Sequence, residues 1–372
     1  MRKWPVCFTA AVAVTAMCLV PASAFGQART APTMTVVASG LNSPRGLAFG
    51  PDGTLYVAEG GTGGTSSTVG TCPQVPAPVG PSTGGFTASI SKIAPDGART
   101  VVASGLPSSQ TSNASGSLAS GVADVAFVGG RLFALIAAAG CSHGLKGTSN
   151  AIVRVHSNGS ATTVANLSAF LATHPVAHPD AADFEPDGTW YSFTRAGDGF
   201  YAVEPNHQEL DKITPGGQVS RVIDFSRFFP GNTDWRGPTA MVSHAGSLYI
   251  GTLTPFPVKV GAAQVFKVNP ATGHFTVYAA HLTTVLGLAF GHDGALYVLE
   301  MSVHNGGPAP ATGAIVKIKN GHRTVIASGL NFPTAMTFGP HGNLYVSVNG
   351  FGGPPGTGQI LKITITSRAT GH

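Results

Sequence analysis

Three carboxylates close a recurring strand. The stretches LYVAE59, FYAVE204 and LYVLE300 each place a Glu four residues after the first apolar position. Acids spaced around a common axis can hold a hard cation through oxygen ligands. With Asp180, the set Glu59, Glu204 and Glu300 would then serve a metal-dependent hydrolase or lactonase carrying Ca²⁺ or Zn²⁺. The competing reading is structural: an acid at a strand end accepts hydrogen bonds from nearby backbone N–H groups. The same position is Ile136, Thr252 and Val348 in the intervening repeats, so only alternate repeats carry the acid. The expected cofactor is none, with Ca or Zn as the alternative.

Other groups could meet a ligand. Residues just before the innermost strand of each repeat lie nearest a ring axis, and these include Arg45, Asp124, Asp180, Arg236, Thr239 and Thr334. They form a mixed polar mouth with no repeated metal-ligand type. Trp235 and Arg236, with Phe228 and Phe229, either stack on a sugar or aromatic ligand or pack a loop against the rim. His174-Pro-Val-Ala-His178 has a zinc-like spacing, but Pro175 and Pro179 push both histidines toward extended backbone, so no helix presents them together. Gly80-Pro-Ser-Thr-Gly84 matches a nucleophile elbow only on paper, because the strand–turn–helix context is missing. The glycine-rich runs 60–64 and 350–353 lead into no helix that would receive a phosphate and read as flexible loops.

All these positions belong to a repeat. The unit VVASGLNSPRGLAFGPDGTLYVAE (36–59) returns at 276–300 and 324–348, and its first strand starts six times, at Val37, Val102, Val164, Ile223, Tyr278 and Ile326. Short alternating segments (ISKI, IVRV, LDKI, VFKV, IVKI, ILKI) supply a further strand each time, with the period of two of a half-buried strand. Six repeats of four short strands make an all-β, six-bladed β-propeller. The last repeat ends without its outer strand, and Thr35 to Ser39 is spare. The N-terminal strand is therefore expected to pair beside Ile360 to Thr366 and close the ring, removing an open edge. Insertions fall at 60–87, 107–121, 166–189 and 225–238, after second strands or before first ones. Those connections emerge on one end of a meander, which makes the long-loop face the working face.

Composition bounds the class. Of 372 residues, 43% are hydrophobic and 10% charged, with 50 Gly and 27 Pro, a mix suited to short strands and turns. The net charge of +5 drops to +3 without Arg2 and Lys3, and the remaining cations form no run, which argues against nucleic acid. Residues 1–24 read as a signal peptide cut after Ala24, followed by a linker at 25–33, the propeller at 34–366 and a tail at 367–372. No later stretch is long and apolar enough to span a bilayer. A secreted, extracellular monomer is expected. Cys72 and Cys141 survive the leader's removal and, in an oxidising compartment, either bridge or stand as separate loop thiols.

The unit 36–59, the EPNH at 204–207 with LDKI after it, and the closing ASGLNFP…FGPHGNLYV resemble the secreted ScyD/ScyE family over about 34–366. That family is similar to NHL-type propellers, whose second strand ends in an acid before a Gly/Asn loop. The resemblance implies the fold and a structural role for Glu59, Glu204 and Glu300, and it supplies no catalytic residues. The expected function is a platform binding a small molecule, glycan or protein on the loop face, with the metal-dependent lactonase as the alternative.

Overall fold

The structure is a computed structural model that describes residues 32–230 and 236–365. The leader assigned to 1–24, the tail at 367–372 and Trp235 lie outside the described residues. Short sequence rules build each blade. Where the inner strand of blade one (Pro44–Phe49) turns into the second (Leu55–Glu59), Asp52 Oδ1 accepts the Thr54 N–H at 3.0 Å. Gly53 supplies the left-handed backbone there, at φ 77°. Asp96, Asn158 and Asp293 repeat this side-chain turn with the N–H two residues on, at 2.9, 3.1 and 3.2 Å.

Six antiparallel sheets result, five of four strands and one of five. They are the blades of a six-bladed propeller. The ring closes as expected: strand Thr33–Leu41 pairs with Gly358–Thr364 as the outer strand of the last blade, with Thr35 opposite Lys362 and Ala38 opposite Ile360. The core is correspondingly divided. Six apolar clusters each fill one blade–blade interface; one joins Ile90 and Ala103 to Val125 and Ala134, another joins Ala38 and Ile360 to Leu47 and Val57. Second-strand tyrosines set their edges against the inner-strand Phe of the next blade: Tyr56 on Phe127, Tyr249 on Phe290, Tyr297 on Phe338 and Tyr345 on Phe49, at 4.8–5.0 Å.

The third-strand cation repeats for a related reason. It stands directly across the pleat from the second-strand aromatic in every blade: Tyr56–Lys92, Phe133–Arg154, Tyr201–Lys212, Tyr249–Lys267, Tyr297–Lys317 and Tyr345–Lys362. The ammonium of Lys317 lies 5.6 Å from the Tyr297 ring centre, within cation–π range.

Two expectations about the insertions change. The 60–87 and 107–121 insertions are partly strand: 83–87 and 107–110 lengthen the hairpin of Thr83–Ile93 and Arg99–Gln110, which takes on a fifth strand, Ala119–Ser120. The run 60–64 is not a flexible loop either. A Cβ on Gly64 would lie 2.2 Å from the Gly84 carbonyl, and one on Gly61 would lie 2.7 Å from Ala88 N. The Gly63 N–H donates to the Ser108 hydroxyl at 3.0 Å. In the second run, a Cβ on Gly350 would lie 2.2 Å from the Pro44 carbonyl. These glycines let backbone lie against backbone.

Candidate functional site

The acids at the second-strand ends point into their own blades. Glu59 is fully buried and accepts the Asn42 N–H at 2.8 Å, the Ser91 hydroxyl at 2.5 Å and the Arg99 guanidinium at 2.6 Å. Glu204, equally buried, accepts the N–H groups of Thr189 at 2.8 Å and His207 at 2.5 Å, and its carboxylate raises the pKa of the His207 imidazole 3.2 Å away against the effect of burial. Glu300 accepts the Thr283 N–H at 2.5 Å, and burial pushes its pKa up to about 6. In all three blades one donor is a backbone N–H on the connection entering that blade's inner strand. The carboxylate satisfies an N–H that would otherwise be buried unpaired.

Sequence reading missed the partners of these acids. Arg99 continues from Glu59 to the Gly40 carbonyl at 2.8 Å. Arg323, whose charge favours the ionised form of Glu300, donates to the His281 carbonyl at 2.5 Å, and Arg221 pairs with Glu209 and reaches the carbonyls of His174 and Pro175. Alternate blades thus carry an acid and an arginine that clasp the incoming connection. The signal was a Gly-x-Arg at the start of the outer strand, Gly97-Ala-Arg99 and Gly321-His-Arg323.

Glu59, Glu204 and Glu300 are not brought together with Asp180. Among the described residues no group of three or more His, Cys, Asp or Glu is placed to hold a metal ion. Asp180 is half-buried and caps its own turn, accepting the Ala182 N–H at 3.0 Å. His174 ends the helix Leu167–Thr173, stacked on Phe170, and His178 is exposed on the extended segment beyond.

The ring encloses a central channel of about 450 Å³ lined by the inner strands of all six blades. Its wall mixes polar and apolar surface: Asp124, Ser192, Thr194 and Thr334 line it beside Ala123, Ala240 and Ala335, while Leu47, Phe193, Met241, Leu288 and Met336 pack into the blade–blade clusters. At the loop-face end Arg45 lies beside Tyr191, its guanidinium 3.5 Å from the phenol oxygen and bonded to the Ala119 carbonyl at 2.7 Å. Asp124 lines the wall and clasps three blades. It accepts the N–H groups of Val125 at 2.9 Å and Phe193 at 3.2 Å and the Ser192 hydroxyl at 3.1 Å. It also presses on blade one, where a Cβ on Gly46 would fall 1.9 Å from its Oδ1. Burial raises its pKa to about 7.

The remaining mouth residues are spent on structure. Thr239 donates to the Val285 carbonyl at 2.5 Å, and Thr334, which lines the channel, donates to the Pro44 carbonyl at 2.7 Å; each ties one blade to the next. The Arg236 N–H binds the Gln208 side chain at 3.1 Å, and its guanidinium stands 6.0 Å from the Phe229 ring. Phe229 stacks on Phe266 and packs the blade-four rim, while Phe228 meets Phe275 edge-on and stays 60% exposed.

One constellation went unnoticed in the sequence. Ser109 Oγ is 3.0 Å from His143 Nδ1, and His143 Nε2 is 3.2 Å from the Gly188 carbonyl and 3.4 Å from Glu185. It has the members of a catalytic triad, but Ser109 and His143 are each 3% exposed and Glu185 7%, leaving no approach for a substrate. The hydrogen bond to Gly188 places the proton on Nε2, and burial lowers the pKa of His143. The group braces three blades. Beside it, Cys72 and Cys141 form a disulfide between the second-strand loops of blades one and two, and Asp187 accepts the N–H and hydroxyl of Ser142 at 2.7 and 2.6 Å.

The fold places the chain among known propellers. No protein-family model and no curated protein matches the sequence. It is similar in fold to a structural genomics protein of unknown function from Bacteroides thetaiotaomicron, with a TM-score of 0.55 and 11% identity over 90% of this chain and 76% of that one. The PQQ-bound aldose sugar dehydrogenase of Streptomyces coelicolor gives 0.53 and 14%, over 89% and 98%. A putative gluconolactonase gives 0.50 and 12%, over 90% and 92%. The fold shared with these structures is the six-bladed β-propeller. At such identities the likeness is one of fold, and reaction chemistry does not follow from it.

Proposed function

We propose that this chain is a ScyD/ScyE-type propeller, exported by its leader, that binds a small ligand at the loop-face end of its central channel. The observation that carries this reading is the channel itself. Its volume of about 450 Å³ falls in the range of small-molecule sites, and its mixed wall ends at Tyr191 and Ser192, with Arg45 beside the Tyr191 hydroxyl. A ligand with both polar and apolar surface would fit this wall and meet the Tyr191 hydroxyl at its end. Export accords with the Cys72–Cys141 bridge, since disulfides persist in oxidising compartments.

The test is a thermal-shift and calorimetric screen of sugars, sugar lactones and aromatic metabolites. Binding should disappear in Ala335→Phe, which fills the channel from blade six, and weaken in Tyr191→Phe. A ligand that binds Ala335→Phe as well as the wild type would place the site elsewhere on the loop face. The alternative, a metal-dependent lactonase, is supported by likeness of fold. It would require stoichiometric Ca²⁺ or Zn²⁺ in purified protein and lactone turnover, both lost in Glu300→Gln.

A further inference from the structure

Blade three differs from the others at two adjoining core positions. Glu209 and Asp211 stand two apart on strand Glu209–Ile213 and so point to the same face, toward blade two. Both are fully buried. The matching positions of the other blades hold Ser89 and Ser91, Ala151 and Val153, Gln264 and Phe266, Ala314 and Val316, and Gln359 and Leu361. No other blade puts a carboxyl group there.

Each of the two acids has one oxygen with an ordinary partner. Glu209 Oε2 pairs with Arg221 Nε at 2.5 Å, and Asp211 Oδ2 accepts the Trp190 indole N–H at 3.1 Å. The other oxygens, Glu209 Oε1 and Asp211 Oδ1, are buried without a conventional donor. The two acids are neighbours on one buried face, and two ionised carboxylates have no proton with which to satisfy these oxygens. One proton between them satisfies both orphaned oxygens. Burial raises the affinity of both acids for that proton, aided at Asp211 by the charge of Glu209 and at Glu209 by that of Glu204.

The partners of the pair are the two ends of one loop-face segment. Arg221 continues from Glu209 to the carbonyls of His174 and Pro175, and Trp190 is the residue before Tyr191 at the channel mouth. We propose that Glu209 and Asp211 form a proton-sharing latch that holds the segment from His174 to Trp190 closed while the proton is present and loosens it when the proton is lost.

The charged groups facing the latch come from several elements. Arg221 is on the outer strand, Glu204 and His207 are on the second strand and its turn, and Glu185 and Asp187 are on the connection. The facing strand of blade two contributes Arg154. Helix Leu167–Thr173, against which Arg221 also packs, has no ionisable side chain. Arg221 is thus the cation paired with the dyad, through Glu209. It balances one negative charge, so loss of the shared proton leaves a second charge uncompensated in the interior. The inference is independent of what the channel binds.

Hydrogen exchange on the full chain tests it, comparing amides 174–190 with strand Leu296–Glu300 from about pH 6 to about pH 10 after correction for intrinsic rates. Protection of 174–190 should fall by up to about tenfold per pH unit where the pair titrates, while the reference strand holds. In Asp211→Asn the amide donates to Glu209 permanently and still accepts from Trp190, so protection should become independent of pH. Glu209→Gln, donating in the opposite sense, should do the same. A wild-type segment that tracks the reference at every pH overturns the proposal, as does an Asp211→Asn protein that still loosens. The wild-type comparison alone suffices if either variant fails to fold.

Discussion

The Arg99 guanidinium lies 2.6 Å from the Glu59 carboxylate, and both are tied to backbone of the strand and connection that begin the ring: Arg99 to the Gly40 carbonyl, Glu59 to the Asn42 N–H. An acid that by position alone resembled a metal ligand is the hub of a clasp near the point where the ring closes. Removing it should therefore be a matter of stability. Glu59→Ala leaves a guanidinium, a hydroxyl and an N–H without their acceptor, and should cost about 3–5 kcal/mol in urea unfolding. Glu300→Ala, which strips a single backbone donor, should cost about 1–3 kcal/mol. Equal costs at the two sites would contradict this division of roles.

The glycines of blade one's second-strand loop permit close packing. Gly64→Ala drives a methyl group into the Gly84 carbonyl and should lower stability by about 1–3 kcal/mol. Gly53→Ala, where a Cβ meets nothing within 4 Å, should cost only the strain of its positive φ, about 1 kcal/mol. Denaturation midpoints of the two variants compare the effects directly.

The disulfide joins residues 69 apart in sequence, and its reduction should cost about 2–4 kcal/mol. Loss of order should centre on its neighbours Ser142 and His143. Hydrogen exchange with and without reductant should show the change in 137–150 and 64–84 before it reaches blades four and five. A uniform loss of protection around the ring would be the contrary result.

Asp124 makes stability depend on pH in a definite direction. Its folded pKa of about 7 lies above the ordinary 3.8, so the folded protein keeps a proton that the unfolded chain releases. The contribution is complete below the unfolded value and is lost as pH rises toward about 7, at up to ~1.4 kcal/mol per pH unit. Asp183 and Glu300, both raised to about 6, add slopes of the same sign. Urea midpoints across this interval should decline with pH in the wild type and more gently in Asp124→Asn. An unchanged slope in the variant removes Asp124 from this account.

The sequence by itself determined the architecture. Strand alternation, the Asp-Gly turns and six recurrences fixed six blades, the spare strand at 35–39 fixed how they close, and insertion positions fixed the loop face. These are local rules or rules of counting, and each is written in neighbouring residues. What the polar groups do was decided by contacts between residues far apart in the chain. Arg45 meets Tyr191 across 146 positions, Ser109 meets His143 across 34, and Thr334 bonds Pro44 across 290. Whether a carboxylate is free to bind a ligand depends on which donors the ring brings to it. For Glu59 those are Asn42, Ser91 and Arg99, which only the folded blade gathers around one buried oxygen pair.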